Sequence, residues 1–205
     1  MTIIIIIVTL LITVIAFYSD EAMSKMMLNP YQVYHKKEWY RMITHGFLHA
    51  DWTHLIINMI VLYSFGSNVE AWFGKLKMAG YIDSVAITYS LLYFGGIIIS
   101  SMITLFRHRN NRWYNSVGAS GAVSAIIFTS IFFNPLDRLY FFAVIPIPGI
   151  VFAVLYLVYS SYMSRRSKDN INHDAHLLGA VYGFTFPLLI NFDLISHFLQ
   201  GFSVF

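Results

Sequence analysis

The chain has 205 residues, 58% hydrophobic and only 11% charged, and its mean hydropathy is +0.63. A water-soluble domain of this size could not hide that much apolar surface, so the composition specifies a membrane protein. Thirteen Lys and Arg against ten acids leave a net charge of +3 in short loops without basic runs, which excludes a nucleic-acid partner, and the absence of cysteine excludes disulfides, thiolate metal sites and thiol nucleophiles.

Uncharged stretches bounded by loop charges mark six candidate spans in chain order: Met1–Ser19, Trp52–Val69, Ser84–Phe106, 116–135, 149–164 and Ala175–Phe192. Each is read as long enough to cross ~30 Å of hydrocarbon, and helices are the open segments that satisfy their own backbone in lipid. The expectation is an all-α membrane protein, with residues 1–205 forming one membrane-embedded domain. The first stretch has no basic leader and no small-x-small cleavage site, so it reads as a retained anchor. Pro146, Pro148 and Gly149 interrupt the fifth stretch near its start, which places the beginning of its regular helix after Pro148.

Spans that alternate in direction start the second, fourth and sixth on one side of the membrane. Their first turns carry His54 and Asn58, Ser120, and His176. A histidine inside a span is costly and marks a functional candidate facing the bundle interior. Gly179, Ala180 and Gly183 lie at i+3, i+4 and i+7 from His176, on the same smooth face. The fourth span opens with Gly118-Ala119-Ser120-Gly121-Ala122, also short of side-chain bulk. Two such faces permit close helix approach, which would bring Ser120 toward His176 as nucleophile and base.

Asp51 is placed to cap the second span. That register sets His54 and Asn58 at i and i+4 on one face, either as donors to an oxyanion or as a polar pair joining helices. His45 and His49 form another i, i+4 pair, but His45-Gly46-Phe47-Leu48-His49 lacks the Glu of a zinc HExxH site and has no third ligand in view. A hydrogen-bonded structural pair is the better reading, and neither a metal nor another cofactor is expected.

These residues resemble the rhomboid intramembrane serine proteases, in order and over nearly the whole chain. Trp39-Tyr40-Arg41, then Thr44-His45-Gly46-Phe47-Leu48-His49 and His54-Leu55-Ile56-Ile57-Asn58, resemble the family's first loop and its HxxxN helix. Gly118-Ala119-Ser120-Gly121 resembles its GxSG nucleophile motif, and Ala175-His176-Leu177-Leu178-Gly179 with Gly183 its sixth-helix histidine motif. The resemblance implies a six-transmembrane-helix bundle in which Ser120 is the nucleophile and His176 the general base. His54, Asn58 and the Ser120 amide would bind the oxyanion, and Arg41 and Glu70 would brace the first loop. It also implies a fifth helix and a loop 165–174 that gate and cap the site, transmembrane protein substrates in the bilayer, and an active site on the extracytoplasmic side.

Two features depart from that pattern. Many relatives carry an aromatic one turn after the serine, stacked on the histidine; here the position is Ser124. Another side chain must then orient His176, and Ser124→Phe is expected to raise or preserve activity if His176 sits over that position. The loop charges also oppose the implied sidedness: ten Lys and Arg lie in the first, third and fifth loops against Lys75, Lys77 and Arg138 elsewhere. The sidedness implied by the motifs is preferred here over this statistical bias. A rival function from another class is a non-catalytic membrane chaperone that binds client helices with the same fold. A transporter fits poorly, because the polar layer lies at one end of the spans.

Overall fold

The computed structural model describes residues 1–141, 144–165 and 171–203. Helix α1 (Thr2–Phe17) is followed by three short helices, α2 (Asp20–Met26), α3 (Pro30–Lys36) and α4 (Arg41–Thr44), the last running into a 3-10 turn at His45–Phe47. Helix α5 (Trp52–Met78) comes next, then α6 (Val85–Ser100) and α7 (Met102–His108), and after an irregular connection α8 (Ser120–Phe133). A hairpin of β1 (Arg138–Phe141) and β2 (Ile145–Pro148) leads to α9 (Gly149–Ser164), α10 (His173–Ile190) and α11 (Leu194–Gln200).

Side-chain caps explain where several helices start. Asp51 accepts from the His54 amide at 2.8 Å and so begins α5 where the sequence places it. Asn172 accepts from the Ala175 amide at 3.1 Å and starts α10 two residues before the expected Ala175. Helix α5 runs to Met78, well past Val69, because helical hydrogen bonding does not stop at Glu70. Lys75 and Lys77 in its last turn also suit the negative end of the helix dipole.

Three expectations are corrected. The chain is not purely α-helical: β1 and β2 pair antiparallel, with Tyr140 opposite Pro146 and Arg138 opposite Pro148, and prolines, which cost a helix interior a hydrogen bond, are tolerated in such an edge hairpin. The fourth uncharged stretch is helical only from Ser120; at 14 residues α8 is ~21 Å long, short of a full crossing. By length and composition, α6 and α7 taken together as Val85–His108 are the one continuous helical segment among the described residues able to cross a membrane alone; α10 and α11, bent by 119°, pass only as a pair. Of the loop expected to cap the site, residues 166–170 lie outside the described residues.

Helix α8 is the axis of the bundle. Every residue from Gly121 to Phe133 is buried, enclosed by α5, α6 and α10. Leu55, Leu62 and Phe73 of α5 and Tyr89, Tyr93 and Ile97 of α6 complete the core around it.

Candidate active site

Glycines bring the main chains of α8 and α10 into direct contact. A Cβ on Gly179 would lie 2.1 Å from the Gly121 carbonyl oxygen, and one on Gly183 would lie 2.0 Å from that of Ala125. Nothing but hydrogen fits there. The pair is tied further along by the Thr129 hydroxyl, which donates to the Gly183 carbonyl at 2.7 Å. Ser120 precedes Gly121, while His176 follows Ala175, whose carbonyl lies 3.5 Å from the Cβ position of Gly121. The contact between the first turns of the two helices is therefore flanked by both residues.

The turn leading into Ser120 is held from the first loop. Leu28 and Ser116 exchange both backbone hydrogen bonds at 3.0 Å, and the Gly118 amide donates to the His45 carbonyl at 3.0 Å. Gly118 has φ +128, a conformation that favours glycine. A Cβ there would meet His54 Cε1 at 2.8 Å and Nε2 at 3.1 Å, with Ser120 Oγ at 3.8 Å. His54 and Ser120 thus border the same small space beside Gly118.

Ala119 provides no side-chain cap for α8. The first main-chain bond of the helix is from the Val123 amide to the Ala119 carbonyl at 2.9 Å, so the amides of Ser120, Gly121 and Ala122 have no carbonyl one turn back. Orphan amides at a helix start favour negative charge. Asn58 is buried on α5, and its amide nitrogen donates to the His54 carbonyl at 2.9 Å, which commits one of its two protons.

The remaining polar residues singled out from the sequence act on the loop and on α1. Arg41 is buried; its guanidinium donates to the carbonyls of Ser24 at 2.7 Å and Met27 at 2.9 Å and pairs with Glu38 at 2.6 Å. That bond holds the Glu38 carboxyl below its usual range. His45 donates from Nδ1 to the Arg41 carbonyl at 2.8 Å, leaving Nε2 to accept from the Ser101 hydroxyl at 3.0 Å. His49 Nδ1 lies 3.1 Å from Thr13 Oγ1, and its ring packs edge-on against His54 with centroids 4.9 Å apart. Burial pushes the His45 imidazole down to about 4; burial, aided by His54 nearby, pushes His49 down to about 3. Glu70 departs from the expectation that it braces the first loop: its carboxylate binds the Met1 amino group, the Thr2 amide at 3.1 Å and the Thr2 hydroxyl at 2.9 Å, and so anchors α1.

The aromatic partner of His176 comes from α9. The Tyr156 ring stacks on His176, with centroids 6.2 Å apart and planes inclined by 23°. Its hydroxyl lies 2.6 Å from Ser124 Oγ. This corrects the expectation for Ser124→Phe, since a phenyl group at 124 would run into Tyr156. The shortage of bulk at position 124 was the one sequence signal that a ring must arrive from elsewhere. A further contact that the sequence did not disclose joins three helices: Asp174 of α10 binds Arg107 of α7 and Ser164 of α9.

A family model described as Rhomboid domain matches residues 36–191, which include all of this geometry except the contacts to Met1, Thr2, Thr13, Ser24, Met27 and Leu28. The chain belongs to the rhomboid family. It is thus a helical integral membrane protein. This rhomboid is 32% identical over 156 residues to the putative rhomboid protease YdcA of Bacillus subtilis, covering 74% of the chain and 67% of that protein. It is 32% identical over 145 residues to the mitochondrial RHOMBOID-like protein 12 of Arabidopsis thaliana, covering 68% of the chain but 43% of the relative. With the rhomboid protease GluP of Bacillus subtilis it shares 26% identity over 147 residues, 72% of the chain and 25% of GluP. The chain thus matches less than half the length of two of these relatives and about two thirds of the third.

Proposed function

We propose that this rhomboid is an intramembrane serine endopeptidase that cleaves transmembrane-helix substrates in or beside the bilayer with a Ser120–His176 dyad. The observation that carries the reading is the main-chain contact between the first turns of α8 and α10, which has Ser120 and His176 at its margins, with His54 across Gly118. Family membership and the relatives named as rhomboid proteases support it.

In this reading His176 accepts the Ser120 hydroxyl proton as Oγ bonds to the scissile carbonyl carbon. The oxygen that becomes negative takes hydrogen bonds from the Ser120 amide, the second Asn58 amide proton and the His54 imidazole. His176 then returns the proton to the departing amine, and water hydrolyses the acyl-serine by the same route. Ser120 and His176 are both half-buried rather than sealed in the core, and hydrolysis of the acyl-serine requires that water reach them from the membrane surface.

The bundle is read as six-spanning, with the Ser120 end of α8 facing the extracytoplasmic side. Because α8 is only ~21 Å long, Ser120 would lie below the membrane surface, where a substrate helix must unwind to present its peptide bond.

Labelling of the detergent-solubilised protein with a fluorophosphonate tests this directly. Wild type is expected to be labelled, whereas Ser120→Ala is not and His176→Ala is labelled far more slowly. Equal labelling of wild type and Ser120→Ala would overturn the assignment of the nucleophile. A folded wild type that takes no label would favour the chaperone reading.

A further inference from the structure

We infer that Tyr156 of α9 is a positioning residue for the His176 base, supplying from a neighbouring helix the aromatic face that α8 does not carry. The inference rests on the protease reading above and deepens it. Four contacts define the placement: the ring stacks on His176 at 6.2 Å, the hydroxyl sits 2.6 Å from Ser124 Oγ, and the ring also meets Phe128 at 5.5 Å and Phe152 at 5.7 Å. Ser124 is itself buried, one turn along α8 from Ser120. Its small side chain leaves the space that the tyrosine fills, and its hydroxyl fixes the end of the phenol.

An imidazole can rotate about two side-chain bonds, and a base works only when one nitrogen faces the serine hydroxyl. A ring held beside the imidazole, nearly parallel to it, restricts those rotations without touching the proton being moved. The contacts of Tyr156 run to His176 and Ser124, so its effect falls on the chemical step through His176 and not on binding.

The brace is also conditional on the seat of α9. Gly149, Ala153 and Ser160 are the residues of α9 that are buried, whereas Val151, Val154, Leu155 and Val158 are exposed along its outer side. Displacing α9 sideways would withdraw the ring from His176.

The test measures fluorophosphonate labelling per folded molecule in wild type, Ser120→Ala, Tyr156→Phe, Tyr156→Leu, Tyr156→Ala and the double variant Tyr156→Ala/Ser124→Phe. Both the maximal rate and the half-saturating probe concentration are read. Tyr156→Leu is expected to lower the maximal rate by up to ~100-fold, the lower end of what general-base catalysis contributes, at unchanged half-saturation. Tyr156→Phe keeps the ring and stays close to wild type. The double variant, which moves the ring to α8, recovers rate relative to Tyr156→Ala. If Tyr156→Leu labels at the wild-type rate per folded molecule while Ser120→Ala does not label, the positioning role is overturned and the dyad stands. If Ser120→Ala labels like wild type, the protease reading falls and takes this role with it.

Discussion

Helices α8 and α9 are both uncharged and nearly equal in length, 14 and 16 residues, yet they occupy opposite extremes of the bundle. Helix α8 is buried on all sides and meets α10 main chain to main chain, through positions where a single methyl group would collide with a carbonyl. Helix α9 is seated by a few side chains and leaves much of its surface exposed. Average hydropathy does not separate the two. What does is the placement of small residues: Gly121, Ala122 and Ala125 on α8 face Gly179 and Gly183 on α10 and Gly96 on α6. The proposed nucleophile and base thus stand on the two helices least free to separate, while the ring that braces the base stands on one of the freest.

The largest effect expected from breaking this contrast is at the rigid pair. Gly183→Val would drive a branched side chain into the Ala125 carbonyl and should cost more than ~3 kcal/mol, because a buried helix backbone cannot yield as a side chain can. Thermal melting in detergent should show a collapsed or absent transition; an unchanged melting temperature would mean that α8 and α10 are not in main-chain contact.

Next come the proposed oxyanion donors, His54 and Asn58. Either alanine variant should slow turnover of a transmembrane substrate by ~10²-fold per folded molecule, with little change in KM. If the pair instead only joins helices, the melting temperature drops and the turnover of the surviving folded fraction does not.

A smaller effect comes from the first loop, outside the spans. His45 and His49 are held neutral by burial, down to about 4 and about 3, whereas in the unfolded chain an imidazole titrates near ~6.5. Below that value the unfolded chain binds more protons, so stability rises with pH across the window: it is complete above ~6.5 and declines as the solution is acidified toward 4. The melting temperature should follow that slope, and His49→Gln should flatten it. A slope that persists unchanged in His45→Gln and His49→Gln alike would assign the acid sensitivity to other groups. The smallest effect is expected on the outer side of α9, where Leu155→Ala should shift stability by under ~0.5 kcal/mol as an exposed substitution. A large loss there would show that this face is covered.

The sequence pointed to the candidate site more directly than to the helix limits of the fold. Ser120, His176, His54 and Asn58 stand out because polar residues are expensive in apolar helices, and the glycines one and two turns after His176 announce the close helix pair. Uncharged runs located six apolar stretches but not their helical limits: α5 continues through Glu70 to Met78, and α8 waits for Ser120 because Gly118 holds the preceding turn in a non-helical conformation. The short helices between α1 and α5 owe their starts to local caps such as Ser19 and Asn29 and carry no long periodic pattern. Tyr156 was out of reach for another reason. Its contacts with Ser124 and His176 join residues 32 and 20 positions apart, and only packing decides which tyrosine of an aromatic-rich helix faces inward.

The central claim is that Ser120 and His176 act as one unit in a covalent step. Its most direct test is cleavage of a model transmembrane substrate, per folded molecule, by wild type, Ser120→Ala, His176→Ala and the double variant. Each single variant should abolish cleavage, and the double should be no worse than either, because residues serving one step do not lose their effects additively. Near-wild-type turnover in either single variant would remove that residue from the dyad and contradict the account.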